Sequence, residues 1–479
     1  MKRFFSLTIA FLLLFTACAG TAPEELPVET ETVIPVETPE ETTRDDIPDN
    51  LPERDFAGKA FRVISVADRT YETAVEEYTG TADNDALYDR NLRIAERFNC
   101  SIEAVSHVDP VVSAINTATA GTNDYELVSI VNYKSGKVIT SKSLLNWYEI
   151  PFVNLEMPWY VKFINDSATI HDKIFTATGD MAVTSLTFTV GMFFNQKVCG
   201  DYGYTAEDLY EMVDNNSWTI DNFLQIIDAI YVDINGDGKD DINDLYGYGG
   251  SVFDDIDIWL PAFDHAVTGR DENGNLTLAL NNEKTVSIVD KLVRLIHETQ
   301  GSNVKGTWQA QEFFAQDLLA FAPIRFHDCF GTLRDMESEY SILPVPKWDE
   351  AQQDYRSTLT DEFSTYGMVK SVPEEDYEFV GILFEAMNAE SYKTVFPVYC
   401  DIALKGKYAT DLKTAEIMDR IISSRSFDAG FTFGAEVLGL VPYCVRDLVV
   451  KKSTDLASML AQKENIVTKG LQAINETYS

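Results

Sequence analysis

Three short β-branched runs separated by helical stripes constrain the fold of this chain more than any other feature. Residues 59–66, 101–106 and 125–131 read as strands. Between the first two, Leu87, Leu92, Ile94, Ala95 and Phe98 make one apolar face of a helix over 83–98, and a second helix is predicted over 111–119. Strands alternating with helices imply βαβ units, and so a parallel sheet, because parallel neighbours need a crossover long enough for a helix. Residues 187–195 form a further apolar strand that opens a new region. Thr219 has N-cap chemistry ahead of a helix over 220–231, with Trp218 and Phe223 at the staple positions on either side of the cap. Asn273-Gly274 marks a hairpin turn. A helix is expected over 283–297, a strand over 340–346, an extended run over 362–369 and a helix over 374–388.

Composition narrows the partners. The 479 residues carry a formal charge of −39, with 38 Lys and Arg against 77 Asp and Glu. That balance excludes nucleic acid as the main partner, since phosphate contacts need clustered cations. Like charge on this scale also favours a soluble monomer. Hydrophobic residues make up 45% of the chain, enough for large cores.

The N-terminus reads as an address. Lys2 and Arg3 precede an apolar run over 9–15 that is too short to span a membrane. It ends in Phe15-Thr16-Ala17-Cys18, which resembles the lipobox of bacterial lipoproteins. That resemblance implies a signal peptide over 1–17, cleavage before Cys18 and lipidation of Cys18, with the mature protein held at the extracellular face of the cell membrane by its lipid anchor alone. Residues 18–55 are rich in Pro, Thr and Glu and read as a disordered acidic tether. The other five cysteines (Cys100, Cys199, Cys329, Cys400 and Cys444) are dispersed and suggest buried thiols rather than zinc ligands or a disulfide framework.

Residues 233–244 place oxygen-bearing side chains at loop positions 1, 3, 5, 9 and 12: Asp233, Asn235, Asp237, Asp241 and Asp244. Gly238 falls at position 6, where the loop turns sharply, and the Lys239 carbonyl at position 7. This is the spacing of an oxygen cage for a hard cation, so one structural Ca²⁺ is expected. Position 12 is Asp rather than Glu, and Asp240 stands where an apolar residue is usual.

No GxSxG, P-loop, HExxH or GxGxxG turn occurs, and none of the five histidines sits four residues from another. His327, after an apolar run, is the one histidine with site potential. Nothing supports catalysis, so a non-enzyme is expected.

The order of several segments resembles the extracellular solute-binding proteins of ABC importers, in the sugar-binding family that includes maltose-binding protein. The residues that carry it run from Asn84 to Phe98, then Asp124-Tyr-Glu-Leu-Val128, Leu155 to Tyr160, Gly191-Met-Phe-Phe-Asn-Gln-Lys197, Trp218-Thr-Ile-Asp221, Leu245-Tyr-Gly-Tyr-Gly249, Ala320 to Arg325 and Tyr340 to Pro346. The resemblance covers about 57–450. It implies an α/β fold of two lobes, of the type II periplasmic-binding-protein kind, with a multi-strand hinge and a ligand cleft between the lobes. Lobe 1 is expected over 56–185 and 360–395, and lobe 2 over 186–359 and 396–479, with crossings near 181–190, 358–368 and 390–400. It further implies capture of a carbohydrate, an oligosaccharide above all, and delivery to the transmembrane subunits of an ABC permease by hinge closure. A peptide or polyamine ligand on the same fold, or a secreted carbohydrate-active enzyme or adhesin, are the alternatives. Sugars present apolar C–H faces and a rim of hydroxyls, which aromatic rings and charged side chains bind respectively. On that basis Trp259, Trp159, Asp255, Asp257, Arg325 and Tyr366 are the candidate ligand contacts.

Overall fold

The computed structural model describes residues 43–239, 241, 243–304, 310–400 and 412–479. Cys18, the signal peptide and most of the expected tether lie outside these residues, as does Asp240 of the 233–244 loop. Among the described residues no helix is long and apolar enough to cross a membrane.

Lobe 1 opens with β1 (Lys59–Ser65), α1 (Ala82–Phe98), β2 (Cys100–Ser106), α2 (Pro110–Ala120), β3 (Leu127–Val131) and α3 (Ser135–Thr140). Lobe 2 follows with β4 (Val190–Asn195), α4 (Ile220–Asp228), β5 (Leu245–Gly250), the hairpin strands β6 (Thr268–Arg270) and β7 (Leu276–Leu278), α5 (Glu283–Val293), β8 (Leu319–Arg325) and β9 (Tyr340–Leu343). The chain returns through β10 (Ser357–Thr358) to β11 (Ser364–Met368) and α6 (Tyr377–Glu390). It ends with α7 (Leu412–Ser423), β12 (Arg425–Ser426), α8 (Ala429–Gly434), α9 (Cys444–Val450) and α10 (Leu456–Tyr478).

The local sequence explains where these elements stop. Helix α1 ends at Asn99, which takes a left-handed φ of 46° and lets the chain turn directly into β2. Asp109 caps α2 by accepting from the Val112 amide, with Pro110 in the first turn. Trp218 and Phe223 pack edge to face at 5.5 Å across the Thr219 cap of α4, and the Trp218 indole donates to the Pro344 carbonyl at 2.7 Å. Trp218 is therefore a staple residue, as its position predicts.

Sheet 1 has the order β11-β3-β1-β2. β1 runs parallel to β2 and β3, with Lys59 opposite Cys100 and Val63 opposite Leu127, while β11 is antiparallel to β3. Sheet 2 runs β9-β4-β8-β5, with β8 parallel to β5 and antiparallel to β4. Each sheet has its own apolar core. The chain passes between the lobes through 182–189, where Thr189 bridges Leu359, through 359–363, and through 391–400. All five cysteines outside the N-terminus are buried thiols.

Two expected boundaries shift. The body begins at Arg44, not at 56. Arg44 donates to the Tyr392 carbonyl at 3.0 Å and covers the Tyr392 and Phe396 rings, while Ile47, Leu51 and Phe56 pack on the lobe 1 core. An acidic, Pro-rich composition hides these few apolar anchors. The C-terminal segment is also not confined to lobe 2. α7 and α9 bury Ile417, Ile421, Leu448 and Val449 in the lobe 2 core. By contrast Phe433 of α8 and Val467, Ile474 and Tyr478 of α10 share a core with Val128, Ile130, Val138 and Ile139 of lobe 1.

Candidate functional site

The ends of both sheets meet the hinge segment over 359–363, the turn between β10 and β11, and that junction is where chemistry-bearing side chains gather. On lobe 1 the chain leaves β1 into Arg69 and leaves β3 into Asn132 and Tyr133. The amides of Asn132 and Tyr133 donate to the Phe363 and Asp361 carbonyls of this segment at 2.9 and 3.0 Å. On lobe 2, Arg325 ends β8 and His327 follows it, and β5 leads into the short helix Asp254–Asp257 that carries Asp255 and Asp257.

A small pocket of about 30 Å³, room for little more than a water, opens on one side of the hinge segment. Asp257, Ile258 and Pro261 line it from lobe 2, residues 358–361 from β10 and the hinge segment, and Phe427, Asp428 and Phe431 from the C-terminal segment. Phe427 packs edge to face on Phe363 at 5.0 Å, and Phe431 on Tyr443 at 5.5 Å. The Tyr443 hydroxyl donates to Asp361. Burial, reinforced by the Asp361 charge, raises the Tyr443 phenol above its ordinary range. Arg446 lies 4.5 Å from the Tyr443 ring centre and donates to Asp257 at 2.8 Å. Asp428 is spent on structure, since it accepts from the Val267, Thr268 and Gly430 amides and the Thr268 hydroxyl. The pocket thus joins two carboxylates, held by an arginine and a tyrosine, to a pair of aromatic rings.

On the other side, Phe188 carries a guanidinium from each lobe, Arg69 at 4.8 Å and Arg325 at 5.0 Å from the ring centre. Arg325 also donates to Glu362 of the hinge segment at 2.5 Å. His327 packs edge to face on Phe188 at 5.7 Å, and burial keeps its imidazole below the ordinary histidine range.

The sequence candidates divide. Asp257 lines the pocket, and Arg325 stands at the lobe junction. Asp255 lies on the short helix Asp254–Asp257 after β5, where it accepts from the Ser251 amide at 2.6 Å. The three aromatics are corrections: Trp259, Trp159 and Tyr366 are each 0% exposed. Trp259 is locked among Phe223, Tyr248 and Phe263 in lobe 2. The Trp159 indole donates to Glu385 at 3.0 Å in lobe 1. Tyr366 sits midway along β11, the edge strand of sheet 1, where its carbonyl accepts from the Trp147 indole at 2.9 Å. A large ring earns most by full burial, and composition does not say which face of its element looks into the core. Sequence reasoning missed Asp361, Phe427, Phe431, Tyr443 and Arg446. They are brought in by hinge and C-terminal segments with no motif to mark them.

No protein-family profile matches the sequence. No curated protein matches it significantly. Solved structures do match in shape. A cyclo/maltodextrin-binding protein complexed with maltotetraose aligns over 88% of this chain and 97% of its own, with TM-score 0.54 at 13% identity. An ABC transporter solute-binding protein from Thermotoga lettingae, bound with α-D-tagatose, aligns over 88% of this chain and all of its own, with TM-score 0.51 at 12% identity. Sheet order, crossings and these alignments agree, and the chain has the two-lobe α/β fold of the ABC-transporter solute-binding proteins.

Proposed function

We propose that the protein is a lipid-anchored, extracellular solute-binding protein that captures a carbohydrate at the hinge and hands it to an ABC permease. The observation that carries this reading is the junction of the two lobes, where Asp257 and Asp361 stand beside Phe427 and Phe431; the pocket there is about 30 Å³, so a sugar would enter with the lobes parted. Carboxylates accept from sugar hydroxyls, and rings cover the C–H faces. The two similar structures bind maltotetraose and tagatose, which supports the ligand class. Closing the lobes around a ligand would give a distinct form, and that closed form is what a permease could read.

The test is a thermal-shift screen against mono- and oligosaccharides, amino acids and polyamines. A ligand at about 100 times its Kd adds about 2.7 kcal/mol of stability. A shift with a saccharide supports the reading, and a shift confined to polyamines or amino acids replaces it. Globomycin-sensitive processing and loss of lipid labelling in Cys18→Ala test the anchor.

A further inference from the structure

We propose that the loop over 233–244 binds one Ca²⁺ and thereby braces the strand that leads to the candidate site. The loop spacing alone would not carry this, because acidic turns are common on so acidic a chain. The second observation is Asp244, at loop position 12. It is 1% exposed, its Oδ2 accepts from the Asp241 amide at 3.2 Å, and its Oδ1 has no partner. A carboxyl oxygen kept from water without a partner is costly, and a cation in the loop would relieve that cost.

The first half of the loop is already wound around a centre. Asp233 accepts from the Gly236 amide at 2.7 Å and the Gly238 amide at 2.9 Å, and both glycines take a left-handed φ of 71°. Asn235 and Asp237 accept from the amides two residues on, at 2.9 and 2.8 Å. Among the described residues no three acidic, His or Cys side chains yet converge as a metal cluster. Binding would therefore draw Asp233, Asp237 and Asp241 in toward Asp244.

Oxygen ligands at positions 1, 3, 5, 7, 9 and 12 suit a large hard cation, and thiol or imidazole seekers find no ligand here. The loop has a route to the rest of lobe 2. It joins the short strand Tyr231–Val232 to β5, and the Tyr246 hydroxyl donates to the Asp241 carbonyl at 2.9 Å. β5 then delivers Asp255 and Asp257. The cation would stiffen this corner without touching the hinge ligand.

The experiment is calorimetric titration of CaCl₂ into the chelator-treated full-length protein, repeated with MgCl₂ and with Asp237→Ala and Asp244→Asn. Asp237 is an exposed residue, so Asp237→Ala keeps the fold even if Asp244→Asn does not. We expect one Ca²⁺ per chain with a Kd tighter than about 1 mM, at least about 10-fold weaker Mg²⁺ binding, and at least about 10-fold loss in Asp237→Ala. The melting temperature should rise with the logarithm of free Ca²⁺ in the wild type only. No Ca²⁺ binding up to about 5 mM would overturn the proposal, as would Asp237→Ala binding like the wild type. Equal responses to Ca²⁺ and Mg²⁺ would also overturn it, since they would show screening of the −39 charge rather than a site.

Discussion

Arg446 donates to Asp257 at 2.8 Å, and this ion pair ties the C-terminal segment to lobe 2 beside the pocket. Both side chains are largely buried, at 19% and 15% exposure. Removing either partner leaves the other charged and half out of water. Asp257→Asn, Arg446→Gln and the double variant should show a coupling of about 1–2 kcal/mol in urea unfolding. Additive losses would mean the pair is two independent residues that happen to be close.

Phe427 should matter for ligand more than for folding. Phe427→Ala is expected to weaken binding of the saccharide found by the screen about 10-fold, with a smaller change in melting temperature. Unchanged affinity would remove this ring from the site.

Trp259 should behave in the opposite way. Trp259→Ala opens a cavity in the lobe 2 core and should cost about 3–5 kcal/mol of stability. The affinity of the remaining folded protein should stay within about twofold of the wild type, because the ring has no exposed face for a ligand. A large affinity loss at an unchanged melting temperature would return Trp259 to the site.

How much of this was readable follows from which interactions are local. The strands and helices of lobe 1, the Thr219 cap and the Asn273-Gly274 turn are fixed within a few residues, and each lies where periodicity and turn chemistry put it. The pocket is not local. Asp361 and Tyr443 are 82 positions apart, and Asp257 and Arg446 are 189 apart. The aromatics chosen as ligand contacts were the large ones, and size drew them into the cores. The rings that line the pocket, Phe427 and Phe431, sit in a segment whose short pattern carries no signature.

Glu385 gives a pH signature to lobe 1. Burial raises its carboxyl to about 7, against partners that favour the charge: the Tyr160 hydroxyl, the Asn154 amide and the Trp159 indole, with Asp49 adding to the rise. An acid with a folded-state pKa above its unfolded one holds its proton better when folded. Its contribution therefore weakens as pH rises from about 4.5 to about 7. Glu385→Gln lacks this dependence. The wild-type melting temperature minus that of Glu385→Gln should fall as pH rises from 4.5 to 7.5, and a constant difference would refute the assignment.

Two glycines separate packing from propensity. A Cβ on Gly381 in α6 would lie 1.9 Å from the Pro151 carbonyl oxygen, so Gly381→Ala should be strongly destabilising. A Cβ on the helical Gly200 would meet nothing within 4 Å, so Gly200→Ala should stabilise by up to about 1 kcal/mol. Chemical denaturation of both variants reads the contrast directly.

The last helix has a mechanical consequence. Leu456 near the start of α10 packs with lobe 2, while Val467, Ile474 and Tyr478 pack with lobe 1. A rigid rod fastened at both ends opposes twist and shear between the bodies it joins. Any relative movement of the two cores must therefore carry or strain this rod as well as the covalent crossings.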